Sequence, residues 1–486
     1  ALLFSGNVYR NFLMKNKRRV INRAPKEDVS NVFVTKSSSH GLMLCAQKDF
    51  AVGETVAIEA PLLYLQRRKL SLKGRAFKRK FKTLDPSYWT SYEQFASGSR
   101  VVQQALLDLY TPLESKFTQR LRRTIDRYGG LQSFCENETE FLRCTTLLHF
   151  NQFSSNRVLP DGSGPMSQDC RAVYKTLSRI NHSCDPNCFA RTSSLGPLRS
   201  VPVRVVRAIR SISSGEEITI SYNQSTFLTE PVSVRQQYLL QEQEFTCHCN
   251  RCAASIDDTR RFACLCEGHH RSLIVHGHPD EQALSECINC GRMPAASECG
   301  DYFLRETQLR GNIDRIEKMF ASLRQSLDKL SEEGTINKLE EMKTEVDGLV
   351  TCHPHHYLTL ALADLHARLS SWTDDDESLM RAHAALAEGF AALAPRDLST
   401  ACRISQLAEA QEMAGRLTHA AENYRKSLCM LCVLQMPLEP YPRRCARQLL
   451  GVLEKLGDAD EKKDDACALC WKRVVKAKLC RGCQEV

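Results

Sequence analysis

Apolar residues recur along this chain with two different periods, and the change from one to the other divides it. Between residues 31 and 61 they come in short β-branched runs, Val32-Phe33-Val34 and Thr55-Val56-Ala57-Ile58, the second closed by Pro61. Runs of that length bounded by turn formers predict short strands. Two more such runs occupy 201–209 and 217–222, and Ser213, Ser214 and Gly215 between them predict a hairpin. Inside this strand-rich part, residues 95–128 place Val101, Ala105, Leu106, Leu109 and Leu113 mostly three and four positions apart, which predicts helix. Beyond Cys299 only the helical period remains, over 302–330, 357–369, 379–393, 398–413, 420–434 and 443–456. The expected fold class is α+β: a β-rich region interrupted by helix, then an all-α region.

With 486 residues, 42% of them hydrophobic and 25% charged, the chain has the apolar content for a core and the length for two or three domains. Disorder as the whole answer is excluded. No run approaches the roughly 18 consecutive apolar residues of a spanning helix, and the opening apolar residues stop at Phe4, too few for a secretory signal core. An intracellular protein with no membrane partner is the expectation. Sixty-six Lys and Arg against 57 Asp and Glu leave a net charge of +9, unevenly placed. Residues 1–30 read as a basic N-terminal arm without an apolar period, and the missing initiator Met suggests a fragment. Within 65–82, Arg67, Arg68, Lys69, Lys73, Arg75, Lys78, Arg79, Lys80 and Lys82 crowd eighteen positions, enough to attract an acidic partner. A solvated, flexible insert is the plainer reading, because no ladder of aromatics accompanies the run.

Cysteine changes the picture most. There are 23, and many stand in CxC or CxxC spacing: Cys247, Cys249 and Cys252; Cys264 and Cys266; Cys287 and Cys290; and Cys467, Cys470, Cys480 and Cys483. Such spacings bring thiolates within reach of one ion, whereas disulfide frameworks belong to much shorter secreted chains. Structural zinc in a reducing compartment follows. Cys45, Cys135, Cys144 and Cys402 read as ordinary buried core cysteines. His269, His270, His276 and His278 crowd the loop between two of the pairs as competing ligands, although solvated loop histidines are commoner.

The densest chemical signal is SRINHSCDPNC at 178–188, followed by GEEITISY at 215–222 and FTCHCNRC at 245–252. The order NHSCxPN, GEEITISY, CxCxxC resembles the SET domain of protein lysine methyltransferases, in particular the SET and MYND domain subfamily. The likeness reaches back to His40, Gly41 and Leu42, to Gly53 and Glu54, to Asn151, Gln152 and Phe153, and to Tyr174. It implies a β-rich SET domain with a knot-like core over 31–245, carrying the basic insert (65–82) and a helical insert (95–150). A cysteine-rich post-SET zinc region over 246–299 would follow, then a helical domain over 300–458 and a partial MYND-like zinc motif over 464–486. In the helical part AAENYRKSL, at 420–428, is similar to a tetratricopeptide (TPR) helix, whose small residues let paired helices approach.

The implied activity is methyl transfer from S-adenosylmethionine to a lysine side chain of a histone or non-histone protein. Such an in-line displacement needs alignment and a neutral amine. A free lysine titrates near about 10.4, so burial in a narrow apolar channel beside a cationic cofactor would favour the lone pair. Tyr222, four residues after Ile218, matches the family's catalytic tyrosine, whose oxygen would stabilise positive charge at the methyl and sulfonium. Asn181 and His182 would meet the cofactor through side-chain and backbone hydrogen bonds, Ser178 and Asn151 would line the same pocket, and Phe245 would pack on adenine. His40, Gly41 and Leu42 would offer backbone contacts. One departure stands out: Ser37, Ser38 and Ser39 precede His40 where relatives carry an arginine, which removes a partner for the cofactor carboxylate.

Cys184 with Cys247, Cys249 and Cys252 resembles the family's post-SET zinc site, a closed four-thiolate centre that would pin the flap bearing Phe245. Cys264, Cys266, Cys287 and Cys290 resemble a second zinc ribbon. Cys467, Cys470, Cys480 and Cys483 resemble the opening half of a MYND finger, whose remaining ligands lie beyond Val486 or are absent; alternatively these four hold a single zinc. In the subfamily that finger follows the strand ending at Pro61, where this chain has its basic insert. A complete finger would dock proline-rich peptides. Two readings follow: an enzyme, supported by Asn181, His182 and Tyr222, or a catalytically weak scaffold that recruits protein partners through helical repeats and finger. The expectations are a monomer acting on a lysine-bearing protein, no direct nucleic-acid binding because the cysteine pairs lack recognition-helix spacing, and residence in nucleus and cytoplasm.

Overall fold

The computed structural model describes residues 27–37, 41–65, 70–154, 157–158, 165–166, 171–193, 203–223, 225–264, 272–276, 283–288, 290–326, 332–349, 351–373, 375–434 and 440–456. The chain forms two compact units, one of Ala1–Ile220 with Leu438–Arg443, the other of Ser221–Pro437 with Arg444–Val486.

The strands of the first unit are β1 (Val32–Ser37), β2 (Gly41–Ala46), β3 (Thr55–Glu59), β4 (Leu63–Leu65), β5 (Phe153–Ser154), β6 (Arg157–Val158), β7 (Pro165–Met166), β8 (Arg171–Val173), β9 (Asn181–His182), β10 (Cys188–Ser193), β11 (Val203–Ala208) and β12 (Thr219–Ile220). They make small sheets: β1-β2, β10-β11-β3, β4-β8-β5, β6-β7 and the parallel pair β12-β9. Leu44, Cys45 and Ala46 of β2, Val56 and Ala57 of β3, and Val205, Val206 and Ala208 of β11 are all buried.

The hairpin expected between 201–209 and 217–222 does not form. β11 lies between β10 and β3. Gly215 does turn the chain, at φ 84°, but the residues around it run beside β2: the Ala46 N–H donates to the Glu216 carbonyl at 2.9 Å and the Ile218 N–H to the Leu44 carbonyl at 2.7 Å. Turn chemistry reports a reversal; which strand waits beyond it is a matter of burial and register.

Five helices occupy the middle of this unit: α1 (Leu72–Lys80), α2 (Ser87–Ala96), α3 (Arg100–Leu107), α4 (Lys116–Arg127) and α5 (Glu138–Asn151). The side chains of Ser71, Ser99, Ser115 and Asn137 accept the backbone N–H three residues on, capping α1, α3, α4 and α5. The helical stretch expected over 95–128 is therefore cut, by Gly98 and Ser99 and again around Pro112. The basic insert departs furthest from expectation. Residues 66–69 lie outside the described part, but the remainder is no solvated strap: Phe77 of α1 and Phe81, its C-cap, are completely buried among Trp89, Tyr92, Phe95 and Phe141. The Phe77 ring stacks on Trp89 at 5.5 Å. Two aromatics four positions apart suffice to dock one helix face, at about 1.5–3 kcal/mol for each ring buried. The surrounding lysines and arginines masked that signal.

The second unit opens with α6 (Val232–Glu242), the single turn α7 (Asn250–Ala253), and the hairpin of β13 (Ile256–Ala263) with β14 (Ser272–His276). Its helical region comprises α8 (Ala296–Ser326), α9 (Glu332–Asp347), α10 (Tyr357–Ser370), α11 (Asp376–Leu393), α12 (Leu398–Met413), α13 (Leu417–Leu434) and α14 (Pro440–Lys455), the first turn of α14 being counted with the first unit. These helices match the expected ones apart from α9, whose period rests on only Leu339, Met342 and Val346, all buried. Consecutive helices from α10 to α13 pack on one another. At Gly389 of α11 a Cβ would collide with the Leu360 side chain of α10, so a larger residue there would force Leu360 to move. Cys467, Cys470, Cys480 and Cys483 lie outside the described residues.

Candidate active site and cysteine centres

In the first unit the NHSCDPN and GEEITI segments are stitched together. β9 and β12 pair in parallel, Asn181 opposite Thr219 and His182 opposite Ile220, and the Ser183 N–H donates to the Ile220 carbonyl at 2.9 Å. Strands of two residues supply few ladder bonds, so side chains complete the joint. Asn187 does most of it. Its Nδ2 donates to Glu216 Oε1 at 2.9 Å and to the Glu217 carbonyl at 2.7 Å, its Oδ1 accepts the Thr219 N–H at 2.8 Å, and its own N–H donates to Thr219 Oγ1 at 3.3 Å. Asn187 is only 1% exposed, so removing it would strand buried groups that water cannot reach. Sequence reasoning gave Asn187 no role. The available clue was an amide side chain inside a segment bound for the core.

Asn181 sits at the edge of this joint, its amide donating to Glu217 Oε1 at 2.8 Å and reaching the Leu42 carbonyl at 3.5 Å. It thereby ties the GEEITI segment to the start of β2, where Gly41 has φ 73° and Leu42 is exposed. The buried His182 places Nε2 3.3 Å from Cys184 Sγ, so its side chain is engaged inside the unit. Ser178 Oγ donates to the Asn151 carbonyl at 2.8 Å and accepts the Tyr174 N–H at 3.0 Å. Asn151 commits its amide hydrogens to the Tyr110 and Leu147 carbonyls at 2.6 and 2.8 Å. These two residues therefore hold the turn Leu177–Arg179 against the end of α5. Glu59, also missed from sequence, anchors the same turn by accepting the Thr176 and Leu177 N–H groups at 2.9 and 2.8 Å. Burial pushes its carboxyl above the ordinary value against the opposing pull of those bonds. His40 lies outside the described residues.

In the second unit the half-buried rings of Tyr222 and Phe245 meet edge to face at 6.2 Å. Just before Phe245, Glu244 has φ 58°, the one positive value at a non-glycine among the described residues. That conformation costs roughly 1–2 kcal/mol, and it turns the chain from α6 into the cysteine loop. The thiols of Cys247, Cys249 and Cys252 lie within 4.8 Å of one another. Thiolates around a tetrahedral zinc at about 2.3 Å stand about 3.8 Å apart, so these three fit its corners. Helix α6 supports them: the Gln236 side chain donates to the Cys247 carbonyl at 2.6 Å and accepts its N–H at 2.8 Å. Arg235, fully buried, donates to the Glu230 carbonyl and sets Nη2 4.0 Å from Cys252 Sγ, where a guanidinium favours the thiolate. Cys184 is buried in the first unit.

A second set brings Cys264, Cys287 and Cys290 within 4.8 Å of one another. Gly291, at φ 66°, and its N–H bond to the Cys287 carbonyl form the tight turn that returns Cys290 toward Cys287. Cys266, His269, His270 and His278 lie outside the described residues. Beneath this set Phe262, Leu273, Val275, Leu284 and Tyr302 form a core. Beside it Arg260 grips Glu306 of α8 with two hydrogen bonds, and His356 brings Nε2 within 3.4 Å of the same carboxylate. Because His356 Nδ1 accepts the Leu358 N–H at 3.2 Å, the neutral ring carries its proton on Nε2, facing Glu306.

Residues 41–223 match the SET domain family, which fixes the class of the region that holds the joint. Among relatives, Histone-lysine N-methyltransferase SMYD3 of Mus musculus is 35% identical over 86 residues, 18% of this chain and 18% of its own. Histone-lysine N-methyltransferase Smyd1 of Mus musculus is 23% identical over 220 residues, 41% of this chain and 42% of its own. A solved structure described as the SET domain of LSMT bound to lysine and AdoHcy covers 93% of this chain and 97% of that one, at 11% identity and a TM-score of 0.28, too low to argue from. Residues 41–223 thus form a SET-domain stretch, and the chain is similar, distantly and over part of their length, to the SMYD lysine methyltransferases. It spans between 18 and 42% of the two relatives named.

Proposed function

We propose that this chain is an S-adenosylmethionine-dependent protein lysine N-methyltransferase. The observation that carries the reading is the joint between NHSCDPN and GEEITI, clasped by Asn187 and edged by Asn181, inside the stretch that matches the SET domain family. The residues suit the cofactor in kind: a polar amide at the edge of the joint, the positive-φ Gly41 beside it, and the half-exposed Phe245 ring as a platform for a base. When bound, S-adenosylmethionine supplies an electrophilic methyl group on a sulfonium. Asn181 and the backbone of His182 would orient it, Gly41 and Leu42 would offer backbone groups, and Phe245 would pack on its adenine. Ser178 and Asn151 act by holding the wall in place, since their own hydrogen-bonding groups are committed to protein partners. Tyr222 would supply a phenol oxygen at the reacting centre, to align the lysine amine and stabilise positive charge there. The substrate is a lysine-bearing protein whose ammonium gives its proton to solvent as the side chain enters an apolar channel.

By the resemblance alone, Cys184 would be the fourth ligand beside Cys247, Cys249 and Cys252, and Cys266 the fourth beside Cys264, Cys287 and Cys290. Zinc in the first set would close the loop that follows Phe245. Calorimetric titration of S-adenosylmethionine into zinc-loaded protein tests the proposal. Saturable binding is expected, abolished by Asn181→Ala. Tyr222→Phe should keep binding and lose methyl transfer by about 10²-fold or more. Well-folded protein that takes up no cofactor would sink the enzymatic reading and leave a SET-domain scaffold.

A further inference from the structure

Helices α1 and α4 of the first unit hold a concentration of positive charge that methyl transfer leaves unused. Between residues 70 and 128 twelve Lys and Arg stand against five Asp and Glu, a surplus of seven in a chain whose net charge is +9. The fold gives this charge a rigid frame. Phe77 and Phe81 dock α1, while Phe117, Thr118, Leu121 and Ile125 form the buried face of α4. On the opposite side of α4, Lys116, Arg120, Arg123 and Arg127 repeat with 4-3-4 spacing and are exposed. At about 100° and 1.5 Å per residue they fall on a stripe about 60° wide and about 16 Å long. Arg75, Lys78, Arg79 and Lys82 are exposed on and just after α1. The two helices end together, the Phe81 ring packing on Tyr128 at 5.8 Å and Lys80 Nζ donating to the Gly130 carbonyl at 2.8 Å.

Nearby, Arg171 pairs with Asp85 at 3.3 Å, but Arg75, Lys78, Arg79, Lys82, Arg120, Arg122, Arg123 and Arg127 make no ion pair among the described residues. Complementing a helix dipole asks for cations in the last turn only. A stripe along the whole of α4 exceeds that, and mutual repulsion makes it costly on a surface that meets nothing.

We propose that the α1–α4 face docks an acidic segment of a partner protein. Arginine dominates the face of α4, and its planar fork suits carboxylates in pairs. A helix with Glu or Asp at the same 4-3-4 spacing rises equally per residue and stays in register along the stripe. Nucleic acid is the competing polyanion, and it is served less well, because neither helix exposes an aromatic ring to stack on bases.

The test uses a fluorescein-labelled peptide with Glu at 4-3-4 spacing in an alanine-rich background, read by anisotropy on titration with the full chain at low salt. A peptide of equal composition with its Glu residues clustered at one end, and a duplex DNA of similar charge, run beside it. Saturable binding of the spaced peptide is expected, weaker for the other two, falling at least about tenfold with Arg120→Glu, Arg123→Glu and Arg127→Glu combined and falling with salt. Reversing Arg396 and Arg416, exposed in the second unit, should change it less than about twofold. Because charge reversal can disturb α4, the corresponding Arg→Gln triple variant and a melting curve accompany it; the Gln variant should keep its fold and still lose binding. Tighter binding of the duplex through the same arginines would overturn the proposal in favour of nucleic acid. So would the absence of saturable binding, or binding indifferent to these arginines.

Discussion

The joint between residues 181–187 and 216–220 and the helix stack α10–α13 are held together by different physics. The joint has two-residue strands, and its cohesion comes from directed hydrogen bonds to single side chains, Asn187 and Asn181 above all. The stack is held by apolar positions such as Leu365, Leu386 and Leu431, all nearly inaccessible, and by close approach at Gly389. A packed stripe tolerates exchange among residues of similar volume. A hydrogen-bonded joint does not, because each lost partner strands a buried group. Candidate chemistry sits in the second kind of structure, where the backbone is irregular and side chains are aimed.

The largest effect expected on this contrast comes from metal. If the cysteine sets hold zinc, chelation should strip order from the 247–252 loop and abolish cofactor uptake while α10–α13 remain helical, as read by metal analysis, circular dichroism and titration. Protein that contains no zinc and melts unchanged with chelator would refute the cysteine centres. Next, Leu365→Ala in α10 should cost about 2–5 kcal/mol in denaturant unfolding with cofactor affinity retained. Asn187→Ala should cost less, about 1–3 kcal/mol, yet weaken cofactor binding more. Equal cofactor affinity in the two variants would show that the joint does not position the site.

Acid should separate the units further. Burial alone would raise the Glu306 carboxyl, but hydrogen bonds from His356 and Arg260 outweigh it and hold the group at about 2. Burial keeps His356 below its ordinary value, against the pull of Glu306. The unfolded chain binds more protons than the native one in both windows, below the ordinary 6.5 of histidine and between 4.5 and about 2 for Glu306. Stability of the second unit should therefore fall as pH drops below about 6.5, and again from about 4.5 downward. Glu306→Gln should remove the lower window; an unchanged acid transition in hydrogen exchange of α8 would count against the network. The smallest effect is expected from Arg235→Met, which should speed zinc release by about tenfold and alter the absorption of a cobalt-substituted centre. Identical spectra and release would leave Arg235 as packing alone.

Legibility differed between these regions for a physical reason. The helix period after Cys299 announced all but one of the helices, and the exception, α9, offered only three apolar positions. The CxCxxC spacing announced Cys247, Cys249 and Cys252 as neighbours, because a loop that short cannot part them. Phe77 and Phe81 were legible in principle, yet the basic residues around them suggested a solvated insert. Asn187 and Glu59 were not legible as anchors, since their partners stand 29 to 32 and 117 to 118 positions away.

The sequence by itself determined what is local: the helical periods after Cys299, the turn at Gly215, the tight cysteine pairs, and the order of motifs in the stretch that matches the SET domain family. Only the tertiary structure decided which distant segments meet. It set β12 beside β9 instead of β11, gave Asn187 its clasp, and turned a basic run into an ordered helix with a buried aromatic face. Spacing along the chain reports contacts within a turn or two, whereas these pairings minimise buried, unsatisfied surface across the whole unit, a condition no short stretch of sequence contains.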